Sequence, residues 1–154
     1  MAHGLSATTY AAGARMTDAI VLSIQLPMWM LSSIASPFSM GAFTLIPAVG
    51  GVCLAFGLTV AVRRRLGALW TFVIPPLISH AFVAAAGLYR GALDTAAAEN
   101  VLDVFLMLQL AMCLYLVYRH RTSWVPAALL AAFSLSYAFC AVPIVSMTLT
   151  DTWL

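Results

Sequence analysis

The chain contains no lysine, and only five acidic and seven basic residues occur in its 154 positions, all seven basic ones arginine. A soluble domain wraps its core in a charged shell, and charged residues make up about 25% of ordinary globular chains. Here they make up 8%, against 64% hydrophobic residues, so the shell is missing and a lipid bilayer is the solvent that fits. Without lysine, retinal binding is excluded. The net charge of +2 is too small for the phosphate neutralisation that nucleic-acid binding demands.

Cysteine is equally sparse. Cys53, Cys113 and Cys140 stand alone, with no CxxC and no Cys/His cluster, so neither a zinc site nor a redox pair is expected. Each lies in an apolar stretch, where cysteine behaves as a small hydrophobe. GxSxG, HExxH, a DxxD pair and a His/Asp couple at helical spacing are all missing, which leans the reading away from an enzyme without deciding it, and no cofactor or metal is expected. No internal repeat, soluble domain or linker interrupts it.

What is present is a series of long apolar runs. A helix needs about 20 such residues to cross the hydrocarbon core. Residues 19–62 carry no charge, enough for two spans separated by the turn-forming Ser36-Pro37-Phe38-Ser39-Met40-Gly41. The expected fold is an all-α five-helix membrane bundle, with spans at about 19–36, 42–62, 66–89, 101–118 and 124–149. Arg15 and Ser33-Ile34-Ala35 also fit a signal peptide cleaved before Ser36, which would leave four spans. Short loops make sequential helices antiparallel neighbours. Gly51-xxx-Ala55 in the second span, and Ala81, Ala84, Ala85 and Gly87 in the third, offer small faces for helix contact.

Alternating spans place Arg15, Arg63–Arg65 and Arg119/Arg121 on one side, six of the seven arginines. By the positive-inside rule that side is cytoplasmic, with the amino terminus inside and the carboxyl terminus outside. Trp70, Tyr118 and Trp124 fall at the inner boundary, Tyr89 and Trp153 at the outer one. Arginine bias and compact loops point to a bacterial inner membrane. Arg63, Arg64, Arg65, Arg119 and Arg121 are candidates for lipid-headgroup or partner docking.

Polar residues inside the spans gather near one depth. Gln25, His80, Gln109 and Tyr137, with Ser134 and Ser136, fall close to the midpoints of four spans. His80 stands out, because ionisable groups at the bilayer centre are expensive. Pro27, Pro47, Pro75, Pro76 and Pro143 cluster around the same layer. Broken helices beside midplane polar groups build substrate sites in many transporters; the same side chains also serve as interhelical glue. Glu99 and Asp103 share one helix face and form a candidate outer cation vestibule, although Asp94 or Thr95 as a cap and the helix dipole explain acids there better. Asp18 is the corresponding acid at the start of the first span.

The favoured function is a non-catalytic accessory or assembly subunit of a larger membrane complex, its partners being other membrane subunits or itself. The alternative is a small oligomeric transporter or channel with a path along His80, Gln25, Gln109 and Tyr137. A haem-binding electron-transfer subunit ranks third: His80 would need a second ligand such as Met28, Met30, Met107 or Met112, or one from another chain.

Overall fold

The computed structural model describes residues 2–35 and 42–151, with side chains at 13–32 (Met30 apart) and 45–151. The described chain is helical throughout: α1 (Ala2–Ala35), α2 (Ala42–Arg63), a 3-10 segment (Gly67–Val73), α3 (Ile74–Leu88), α4 (Thr95–Arg119), a 3-10 turn (Arg121–Ser123) and α5 (Trp124–Thr150). Among the described residues, four stretches are long and apolar enough to cross a membrane: Leu45–Arg63, Gly67–Leu88, Thr95–Arg119 and Arg121–Thr150. The first expected span lies in α1. The Ser36–Gly41 turn, the cleavage position before Ser36 and the boundary residue Trp153 lie outside the described residues.

The third span departs from a continuous helix. Pro75 and Pro76 occupy the first turn of α3, where a missing N–H removes no helical bond. The residues before them wind as a 3-10 helix, and the Ile74 amide donates to the Thr71 carbonyl that a continuous helix would have left facing Pro75. The prolines thus divide the span in two.

The core forms around α5. Half of its apolar window is buried, against 17% for α2. Ala127, Ala131, Ser134, Ala138, Ala141, Val145 and Thr148 recur at alternating steps of four and three, and all are buried. Small side chains at that spacing let neighbouring backbones approach closely, which is how helices associate where lipid removes the hydrophobic drive. Two clusters result. One joins Leu22 and Leu26 of α1, Val83 and Ala86 of α3, Leu102 of α4 and Tyr137, Ala141 and Val145 of α5. The other joins Leu69 and Phe72, Cys113 and Leu116 of α4, and Ala127 and Leu130 of α5.

Contacts fix the helix directions. α3 runs parallel to α5: His80 pairs with Tyr137, and the amides of Gly91 and Leu93 donate to the carbonyls of Thr148 and Leu149. α2 runs against α5, since Ser136 donates to the Ile46 carbonyl while Gly57 lies against Leu130. α4 also runs against α5, and it meets α3 through side chains, Phe105 stacking on Phe82 with ring centroids 4.2 Å apart.

α1 corrects the expected alternation. Asp18 pairs with Arg90 at the end of α3, Ala19 lies against Gly87, and Leu22 and Leu26 meet Val83 and Ala86. α1 therefore runs against α3 and in the same sense as α2. A Cβ on Gly87 would come within 2.6 Å of the Ala19 Cα, so the two backbones are in direct contact. The start of the first apolar run and the end of α5 consequently share one end of the bundle, rather than lying on opposite faces. The expected Gly51-xxx-Ala55 face is also displaced: Ala55 is exposed, and it is Gly50 and Gly57 that are buried.

All five acids, Asp18, Asp94, Glu99, Asp103 and Asp151, now fall toward one end, and Arg63, Arg64, Arg65, Arg119 and Arg121 toward the other. Trp70, Tyr118 and Trp124 at the arginine end and Tyr89 at the acidic end are all largely exposed, as boundary aromatics are.

Two outcomes test this arrangement. In a variant lacking the native cysteines, single cysteines at Thr17 and Thr95 should react with a membrane-impermeant maleimide from the same side, and one at Thr122 from the other. Labelling of Thr17 together with Thr122 would overturn the direction of α1. Gly87→Ala should destabilise by about 1–3 kcal/mol through overpacking against a backbone. Gly67→Ala, with nothing within 4 Å of the added carbon, is the neutral comparison in the same thermal melt.

Candidate functional site

The midplane polar residues separate into two groups. His80 Nδ1 and Tyr137 Oη lie 3.2 Å apart, a hydrogen bond whose donor is set by the imidazole tautomer. Tyr137 is buried and His80 half-buried. The parallel packing of α3 on α5 brings them together, so a pair 57 residues apart in sequence meets between two helices. Phe133 stacks at a tilt on the Tyr137 ring and holds its orientation.

The second group is built on the break in the third span. Gln109 is buried, and its Nε2 donates to the Pro75 carbonyl and to Ser79 Oγ, both at 3.2 Å. Ser79 Oγ itself donates to the Pro75 carbonyl at 3.1 Å. Gln109 Oε1 is buried and accepts no hydrogen bond among the described residues. An orphan acceptor of this kind costs about 1–3 kcal/mol. Ser79 was not singled out in the sequence, because a serine in a helix normally bonds its own preceding turn. Ser134 does so, donating to the Leu130 carbonyl, and Ser136 instead reaches the Ile46 carbonyl of α2 at 2.7 Å.

Gln25 joins neither group. It is exposed and lines one cavity with Asp18, Arg90 and Thr148, and another with Met28, Trp29 and Met147. The reversed direction of α1 explains this. Gln25 is seven residues from Asp18, about 10 Å below the acidic end, whereas His80 is ten residues from Arg90, about 15 Å below it. None of the five cavities described is lined by His80, Gln109 or Tyr137. Of the methionines considered as haem ligands, Met28 and Met107 are exposed, Met112 packs against the arginine-end cluster, and the Met30 side chain is outside those described. Among the described residues no group of three His, Cys, Asp or Glu side chains gathers to hold a metal.

At the acidic end, Arg90 is the organising group. Its Nε donates to Asp151 at 2.8 Å and its Nη1 to Asp18 at 3.1 Å. These bonds, the one to Asp151 foremost, raise the Arg90 pKa above the usual arginine value. Exposed pairs of this kind contribute only about 0–1 kcal/mol, so their value is as a geometric tie between the middle of α1 and the ends of α3 and α5. Asp94 caps α4, accepting from the Ala97 amide at 2.8 Å. Glu99 and Asp103 are exposed on α4, have no bonded partner among the described residues and border none of the five cavities.

At the arginine end, His120 Nε2 lies 3.2 Å from Thr71 Oγ1, and its ring lies against Phe72, joining the end of α4 to the 3-10 segment. Arg121 sits over the Tyr118 ring at 5.8 Å. Comparison with known protein families, with curated proteins and with solved structures finds no match.

Gln109→Met keeps the volume, removes the orphan oxygen and gives up interhelical bonds worth about 0.6 kcal/mol each. Its stability in detergent should stay within about 1 kcal/mol of the parent. A loss well beyond that in a denaturant titration would show that Oε1 is satisfied in the native membrane protein.

Proposed function

We propose that this chain is a non-catalytic accessory or assembly subunit of a larger membrane complex. The observation that carries this reading is that His80 pairs with Tyr137, and Gln109 with Ser79 and Pro75, away from all the cavities described. A translocation path wants such groups lining a common water-filled space. Paired off, they serve as interhelical glue, and what the chain then offers its surroundings is apolar helix surface: Ile24, Phe56, Leu77, Met107 and Leu114 are among many large side chains turned outward. Glu99 and Asp103 add little to a cation-vestibule reading, having no bordering cavity.

The charge separation supports an orientation. Five arginines and no acid occupy one end, so the positive-inside rule places it in the cytoplasm. The end carrying Asp18, Arg90 and Asp151 then faces outward in a bacterial inner membrane. The partners in this reading are other membrane subunits, with or without further copies of the chain.

A small transporter or channel is the second reading, favoured by one feature: a helix broken at Pro75 beside the unpaired Oε1 of Gln109. The two are separated by the native mass of the gently solubilised protein, with co-purifying chains identified. An assembly much larger than the chain, containing unrelated subunits, is the expected result. A monomer or small homo-oligomer would sink the subunit reading, and solute flux lost in Gln109→Met would then establish the second.

A further inference from the structure

The turn after α2 combines a local anomaly with a cavity. Leu66 N–H donates to the Ala61 carbonyl at 2.9 Å and Arg65 N–H to the Val62 carbonyl at 3.0 Å, the two bonds of a Schellman helix stop. That stop requires a left-handed residue, usually glycine, and here the position is Arg65 with φ 52°. The chain thus holds an arginine in a backbone conformation that favours glycine. Arg65 borders a cavity of about 320 Å³ between α2, the 3-10 segment and α5, and is the single charged residue of its lining. The walls are apolar, with Leu54, Leu58, Val62, Trp70, Pro76 and Phe133 among them. Leu58, Val62 and Trp70 are exposed, so the groove opens sideways to the membrane.

We propose that this groove binds one anionic phospholipid, an acyl chain lying along α2 and the headgroup phosphate held at Arg65. Three observations select this occupant. Charge is complementary: Arg63 and Arg64 adjoin Arg65, none of the three has an acidic partner among the described residues, and all five acids lie toward the other end. Length fits: from Arg63 at the end of α2 to Leu54 is nine residues of helix, about 14 Å, or nearly half of a hydrocarbon core of about 30 Å. Depth fits: the charge sits at the boundary that Trp70 and Trp124 mark, and the apolar walls run inward from it. A leaflet-length groove with a cation at its mouth matches one lipid, whereas a partner helix would continue past the midplane.

The test is native mass spectrometry of the detergent-solubilised full chain, titrated with phosphatidylglycerol or with zwitterionic phosphatidylcholine. Phosphatidylglycerol should bind in a one-to-one complex and phosphatidylcholine several-fold more weakly. Arg65→Gly removes the charge and suits the left-handed backbone. It should leave the thermal midpoint unchanged or raised while weakening phosphatidylglycerol binding about fivefold, the effect of one arginine near a lipid surface. Ala61→Trp, or Leu58→Trp if the first does not give a monodisperse protein, should fill the groove and abolish one-to-one binding. Equal binding of both lipids, full binding by Arg65→Gly, or full binding by the filled variants would each overturn the proposal, the last by showing that surface charge alone gathers the lipid.

Discussion

The close packing of small residues along α5 is the constraint on which the other helices depend. Ala127, Ala131, Ser134, Ala138 and Ala141 allow neighbours to come near enough for dispersion forces to hold them, since lipid is as apolar as any core. Because α5 is shared, its register sets theirs. α3 lies parallel to it, α2 and α4 antiparallel, and Gly57 admits Leu130 where α2 crosses. α1 is held mainly through α3, by the backbone contact at Gly87 and the Arg90 tie to Asp18.

The same packing decides what the polar residues do. A hydrogen-bonding group in hydrocarbon must find a partner or carry a cost of several kcal/mol. Parallel α3 and α5 bring His80 to Tyr137, and the approach of α4 brings Gln109 to the broken turn at Pro75. The bundle therefore spends its midplane polarity on internal bonds, leaving one Gln109 oxygen over. This arrangement supports the proposed subunit reading, in which the outward face rather than the interior meets partners.

The break in the third span and the αL turn at Arg65 are both backbone solutions to local sequence problems. Two prolines cannot continue a helix, so a 3-10 segment precedes them and a new helix starts on them. The Schellman stop ends α2 abruptly and turns Arg65 toward an apolar groove. Beside each lies a chemical feature, a buried Pro75 carbonyl bonded by Gln109 and Ser79 in one case and a boundary cation in the other.

Much of this was legible in the sequence. Although the helices outrun the apolar stretches, α1 beginning at Ala2 and α4 at Thr95, ahead of the expected 19 and 101, the dearth of charge and the apolar runs required a helical membrane bundle, and the Asp94 cap followed from local rules. Each of these depends on neighbours in the chain or on the bilayer. Helix direction at α1, the level of Gln25, the partners of His80 and Gln109, and the choice of Gly50 and Gly57 over Gly51 and Ala55 as the buried face were decided only in the tertiary structure. Hydrophobicity is the same on every side of such helices, so it states that a segment is buried in lipid without stating which face meets which neighbour. That choice rests on close contacts between residues far apart in sequence.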